Sequence, residues 1–230
     1  MKTNFIKIIV LSILIPQVNL AQTSFKKDTI TPQELSSWRT LDKGKTTVQG
    51  DELIVEETDG ADGYFLISPK SYSGDVILNY KIKALSESSV LIVLLSASDN
   101  GESKSITLPS KESKGPDFWM WRTHLEHYNL TFNNVSHGYK PFFYKNITPY
   151  KRGFYQTRPD NVMSPLQWYD VEIGKQGANL WFKLNNKIIF EQEDYKPLSG
   201  GHVIFRISGT NGKQVILAKA VIKDLVISHQ

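Results

Sequence analysis

Residues Gly74 to Ala84 read GDVILNYKIKA, and Val76, Leu78, Tyr80 and Ile82 fall on every second position. Successive side chains of an extended chain point to opposite sides, so this period of two marks a strand with one face in a core. The same pattern recurs along the chain, each instance bounded by Gly, Pro, Asn, Asp or Ser. TTVQGDELIVEE gives two short strands about a Gly50-Asp51 turn, and GYFLIS follows from Gly63. SSVLIVLLSAS, from Ser88 to Ser98, is apolar throughout and reads as a central strand covered on both faces. Later segments are LQWYDVEIG, then ANLWFKL and NKIIFEQ about Asn185-Asn186, a pair that tolerates the left-handed backbone of a tight hairpin. GGHVIFRISGT and QVILAKAVIKDLVIS close the chain. No segment carries a long helical period with caps, so little helix is expected. About a dozen short strands without an intervening linker point to an all-β jelly-roll sandwich, with residues 22–230 as a single domain.

The first residues, MKTNFIKIIVLSILIPQVNLAQ, place Lys2 and Lys7 around a short apolar run that ends near Pro16 and Ala21. That layout is expected to be a secretory signal peptide over residues 1–21, too short to span a bilayer. There is no cysteine, which leaves neither a disulfide nor the residue that a bacterial lipid anchor requires. The 27 Lys and Arg fall to 25 without Lys2 and Lys7, against 23 Asp and Glu. With charge that nearly balanced and no basic stripe, nucleic acid is not an expected partner. The expectation is an exported, periplasmic protein without a membrane anchor, monomeric, held together by its core or by a bound ion.

SSWRTLDKGKTTVQGDELIVEE, followed by GYFLISPKSYSGDVILNYKIKA, resembles the first half of the concanavalin-like lectin/glucanase jelly rolls found in bacterial polysaccharide-utilisation systems. QWYDVEIGKQGANLWFKLNNKIIFE, GGHVIFRISGT and the closing IKDLVI resemble the second half. The central YKPFFYKN arrangement is similar to YesU-like proteins of rhamnogalacturonan-utilisation operons and, more weakly, to secreted jelly rolls that cleave 3-keto-glycosides. The resemblance runs from Trp38 to Ile227. It implies a concanavalin-like fold and a place in polysaccharide metabolism, with an acidic plant or algal polymer of rhamnogalacturonan or ulvan type as the favoured class. It transfers no catalytic residue.

Chemistry concentrates between Gly115 and Tyr155, which hold twelve aromatic residues and three of the five histidines. Retaining glucanases of this architecture need paired carboxylates about 5 Å apart, written Glu-x-Asp-x-x-Glu on one strand. No such spacing occurs, and EQED at Glu191 to Asp194 sits at a hairpin end. A polysaccharide lyase needs a base, an acid and a cation that neutralises a uronate carboxyl. WRTHLEHY supplies Arg122, His124, Glu126 and Tyr128, which share one face if the segment is extended. Those four are the candidate catalytic residues. His124 and His127 with Glu126 lack any zinc motif, and the two histidines read as hydrogen-bonded structural groups. Asp59 and Asp62 in TDGADG are compatible with a structural calcium, or with a plain turn.

The competing reading is a glycan platform, because sugar C–H faces stack on aromatic rings while their hydroxyls seek polar partners. Trp119, Trp121, His137, Tyr139, Tyr144, Arg152, Tyr155, Arg158 and Arg206 are its candidates, with Phe143 and Tyr150 as further rings. In DFWMW an extended chain puts Phe118 and Met120 on one face and Trp119 and Trp121 on the other, one of them interior. In VIFRIS, Arg206 shares a face with Ile204 and opposes Val203, Phe205 and Ile207, where it is placed to grip a carboxylate or sulfate. A binding module and a lyase thus remain open, beside a structural sandwich without a glycan role.

Overall fold

The computed structural model describes residues 24–102, 105–110, 112–133, 140–148, 151–210 and 215–230. The expected signal segment, residues 1–21, lies outside them, as do His137, Tyr139 and Tyr150. The described residues form sixteen strands and two short helices. In chain order these begin β1 (Lys26–Ile30), α1 (Pro32–Ser36), β2 (Arg39–Leu41), β3 (Gly44–Gln49), β4 (Glu52–Glu57) and β5 (Tyr64–Ile67). Then come β6 (Tyr72–Ser73), β7 (Val76–Ala84), β8 (Val90–Ser98), α2 (Gly115–His124), β9 (Glu126–Asn133) and β10 (Phe142–Thr148). The chain ends with β11 (Lys151–Thr157), β12 (Trp168–Gln176), β13 (Asn179–Leu184), β14 (Lys187–Glu193), β15 (Gly200–Ser208) and β16 (Lys219–His229).

Two antiparallel sheets stack face to face. One runs β14-β13-β12-β7-β16-β4-β3 with β1 on β16, and the other runs β11-β10-β9-β8-β15-β5-β2 with β6 on β15. The alternation read in β7 is the reason for the stacking: Val76, Leu78, Tyr80 and Ile82 turn inward and are buried. They meet Leu91, Val93 and Leu95 of β8, Leu130 and Phe132 of β9, and Val203, Phe205 and Ile207 of β15 in one core. Each such side chain contributes roughly 1.5–3 kcal/mol by leaving water. Asn185 and Asn186 adopt φ of 47° and 62° and close the β13–β14 hairpin, as their sequence implied.

β8 is buried on both faces along its whole length of nine residues, as the shorter β5 is along its four. Its outer residues Val90, Ile92 and Leu94 form a second apolar cluster with Phe65, Ile204, Phe118 and Leu125. What covers them is α2, and this corrects the extended reading of DFWMW. Pro116 occupies the first helical turn, and the Asp117 carboxylate accepts the Lys114 N–H at 2.8 Å. Both are helix-start features. Phe118 and Trp121, three residues apart and therefore on one helical face, pack on Phe65 at ring-centroid distances of 6.3 and 5.9 Å. The Trp121 indole N–H donates to the Thr107 carbonyl at 2.6 Å.

Candidate functional site

Docking α2 on the outer face of the second sheet leaves a groove between the helix and strands β10 and β11. Its cavity volume is about 310 Å³. Trp119 and Arg122 line it from the exposed side of α2, again three residues apart. Phe142, Tyr144 and Arg152 form the opposite wall, and Val90, Ile92, Arg206, Ser208 and Gly209 the floor. None of these described side chains is a carboxylate.

The wall is an ordered stack. Phe142, Tyr144 and Tyr155 alternate onto the outer face of β10 and β11, and the Phe142 ring lies nearly parallel to both tyrosines, at 5.9 and 6.2 Å. The Arg152 guanidinium stands 4.8 Å from the centroids of both Tyr144 and Tyr155. Such cation–ring contacts pin a charged side chain while leaving its N–H groups free to bind. Tyr155 is 50% exposed and Trp119 45%, so both rings present a face to solvent.

Arg206 sits where the alternation of β15 put it, on the outer face, half-buried. Its Nη2 donates to the Asp62 carbonyl at 2.8 Å, and its guanidinium lies 5.2 Å from the Phe65 ring. Gly63, at φ 102°, passes directly behind it, and a Cβ there would collide with the guanidinium. Burial and the neighbouring Arg122 pull the Arg206 pKa down to about 10, against the opposing pull of Asp62, Glu57 and Asp42. Burial lowers that of Arg122 too, while Tyr144 and Asp62 oppose the shift. The Nε atoms of both arginines are buried without a hydrogen-bond partner. The two cations thus lie side by side with their charge only partly compensated by Asp62, Glu57 and Asp42.

Behind the floor, Glu57 is buried and accepts three backbone N–H groups, from Gly63 at 2.8 Å and from Gly209 and Ala218 at 2.7 Å. Burial pushes its carboxyl up, opposed by those donors and by Arg206. It ties together the two loops that carry the groove's floor. Beneath Tyr144, the His127 ring is fully buried, 6.0 Å from the tyrosine ring. Its Nδ1 lies 2.8 Å from the Leu125 carbonyl, which only accepts, so the proton sits on Nδ1 and Nε2 is an unpartnered acceptor. Burial, and then the charge of Arg122, depress its pKa to about 3, so the ring is neutral.

The groove brings together Trp119, Arg122, Tyr144, Arg152 and Arg206 from the residues singled out by sequence, with Tyr155 beside them. It does not gather the four catalytic candidates. His124 is exposed at the end of α2, its Nδ1 hydrogen-bonded to the Met120 carbonyl at 2.8 Å. Tyr128 points into the sandwich, donating to Asp194 at 2.7 Å and accepting the Leu198 N–H at 2.8 Å. Asp194 also pairs with the buried Lys145 amine at 2.8 Å, and the arrangement is a structural staple. Glu126 shares Tyr128's face of β9, away from the groove, where burial pushes its carboxyl up, opposed by Lys145 and aided by Glu102. The helix rotates Arg122 and His124 out of the common face that an extended chain would have given them.

Trp121 is an anchor beneath the helix. Phe143 turns into the core, and Phe142 takes the groove position instead. Arg158 lies elsewhere, donating to the Ile189 carbonyl at 2.6 Å in a separate cavity of about 530 Å³ with Asn161, Tyr169 and Lys187. Asp62 is tied into its turn, its N–H donating to Asp42 at 2.9 Å, and Asp59 is exposed. Among the described residues no three His, Asp or Glu side chains stand close enough to hold a metal. The reading of His127 as a hydrogen-bonded structural group agrees with its contact to the Leu125 carbonyl, whereas Phe142 and Glu57 were given no role from sequence. The register of β9 and β10, which puts His127, Asn129 and Thr131 opposite Asn146, Tyr144 and Phe142 on one face, is a long-range pairing that no local pattern shows.

No protein-family model and no curated protein sequence matches the chain. Solved structures do match. A Bacillus subtilis protein of unknown function with a galectin-like fold aligns with a TM-score of 0.60 and 16% identity, covering 90% of this chain and 99% of that one. The carbohydrate binding module CBM66 from Bacillus subtilis aligns at 0.51 and 13% identity, over 83% of this chain and 94% of the module. A Bacillus licheniformis β-glucanase aligns at 0.52 and 8% identity, over 92% and 95%. At these identities the likeness is one of architecture. With its two antiparallel sheets and their order, the chain has the concanavalin A-like lectin/glucanase fold.

Proposed function

We propose that this protein binds carbohydrate in the groove between α2 and β10–β11, and that the sugar it takes is acidic. The observation that carries the reading is the lining itself: three arginines and a stacked aromatic wall, with no carboxylate among the described side chains. Rings and an arginine plane receive the apolar faces of sugars, and guanidinium groups receive a carboxylate or sulfate in a planar, two-point contact. A glucanase-type pair of acids has no counterpart there, so hydrolysis through two carboxylates is disfavoured. The solved neighbours named as a carbohydrate binding module and a glucanase lend the reading support at the level of fold. The resemblance to polysaccharide-utilisation proteins adds an acidic plant or algal polymer and a periplasmic setting to the proposal.

Titration calorimetry with rhamnogalacturonan- and ulvan-derived oligosaccharides, against neutral glucan oligosaccharides of equal length, tests it. Acidic ligands are expected to bind and to weaken as salt is raised, because exposed charges are screened within about 10 Å at 0.1 M ionic strength. Arg152→Ala and Tyr155→Ala, both at exposed positions, are expected to weaken binding about tenfold each, the loss of one charge-assisted or stacking contact. Equal affinity for neutral glucans, or no binding of any acidic glycan, would overturn it.

A further inference from the structure

The groove contains more than binding requires. A phenol is placed among cations: Tyr144 is mostly buried, carries the Arg152 guanidinium 4.8 Å from its ring centre, and lines the groove together with Arg122 and Arg206. Its neighbour His127 is held rigid by the Leu125 carbonyl and, being neutral, adds no competing charge. The residues that hydrolysis would need are missing from the described lining, whereas those that elimination would need are present. A carboxylate held by two guanidiniums makes the hydrogen on the adjacent carbon easier to remove, because the charge that develops on the carboxylate oxygens is stabilised.

We propose that the groove cleaves a 4-linked hexuronate by β-elimination, with Tyr144 as the proton-transferring group and Arg122 and Arg206 as the carboxylate clamp. The inference rests on the acidic-glycan reading above. Tyr144 acts through its phenolic oxygen, which the step requires in the deprotonated form, with the Arg152 guanidinium 4.8 Å from its ring centre. It takes the proton from C5 of the uronate. The C5–H electrons become the C4–C5 double bond, the C4–O4 bond breaks, and the leaving O4 takes the proton back from the Tyr144 phenol. The products are a shortened chain with a free hydroxyl and a 4,5-unsaturated uronate, and the phenolate is regenerated. No oxidant, reductant or water is consumed. His127 acts on this step as a positioning residue, packed behind the phenol.

The test is absorbance near 235 nm, where the conjugated product appears, with the intact protein and polygalacturonate, rhamnogalacturonan or ulvan as probes. Product is expected from at least one polymer. Tyr144→Phe, which keeps the ring and its stacking, is expected to lose about 10²–10⁴-fold in turnover, the span typical of a positioned proton-transfer group, with oligosaccharide affinity within a few-fold. His124→Ala, at the exposed helix end, is expected to leave turnover unchanged. Binding of acidic oligosaccharides with no unsaturated product would overturn elimination and leave the binding reading intact. Absence of binding would remove both, and full turnover in Tyr144→Phe would remove the assignment of Tyr144.

Discussion

At the scale of single residues, buried nitrogens of Arg122 and Arg206 in the groove, and of His127 behind it, have no hydrogen-bond partner. His127 is the sharpest case, since its neutral state makes a measurable linkage. Its pKa is about 3 in the folded protein, against an ordinary 6.5. Between those values the unfolded chain takes up a proton that the folded chain refuses, so stability falls as pH drops from 6.5 toward 3. The slope is about 1.4 kcal/mol per pH unit, up to roughly 5 kcal/mol over the window. Urea unfolding across that range should show a flatter profile for His127→Gln than for the parent, and equal slopes would contradict the buried neutral imidazole. Gly63 is a second single-residue device. Gly63→Ala is expected to displace Arg206 and so weaken acidic-ligand binding about tenfold or more, through loss of a charge-assisted contact. Calorimetry against the same oligosaccharides checks this. Neither role could be read locally: a histidine between Glu126 and Tyr128, and a glycine in a DG turn, look ordinary in sequence.

At the scale of elements, α2 makes the site. Without it, Val90, Ile92 and Leu94 of β8 would face solvent, and the groove would lose the wall that carries Trp119 and Arg122. Phe118→Ala removes one of its two aromatic anchors and is expected to cost about 3–5 kcal/mol, the usual penalty for deleting a buried phenyl ring. It should also lower affinity for the acidic ligand. Thermal unfolding and calorimetry on the same variant test both effects, and a stable protein with unchanged affinity would show that the helix is not what shapes the groove. The helix was legible in part: Pro116, Asp117 and the three-residue spacing of Phe118 and Trp121 are all helix signals. Its alternating apolar content nonetheless reads equally as a strand, and only the fit of Phe118 and Trp121 over Phe65 decides between them.

At the scale of the whole molecule, the sandwich is closed by partners far apart in the chain. β1 pairs with β16, and β15 is inserted between β8 and β5. Such pairings must form against loop-closure entropy, so refolding is expected in the millisecond-to-second range of non-local β-sandwiches, measurable by tryptophan fluorescence after stopped-flow dilution. Microsecond refolding would contradict this topology. The sequence alone determined most of the strands outside the central segment (β3, β4, β5, β7, β8 and β12 to β16), that the core lies between two sheets, and which face of β15 carries Arg206; it did not determine α2 or β9 to β11. Period-two alternation and turn residues are local properties, and they suffice for that. The tertiary structure decided which strands are neighbours, that α2 covers β8, that Tyr128 and Phe143 are interior, and that Arg122, Arg152 and Arg206 meet. Convergence of residues separated by more than eighty positions depends on sheet order and register, and these are fixed by long-range packing rather than by any local pattern.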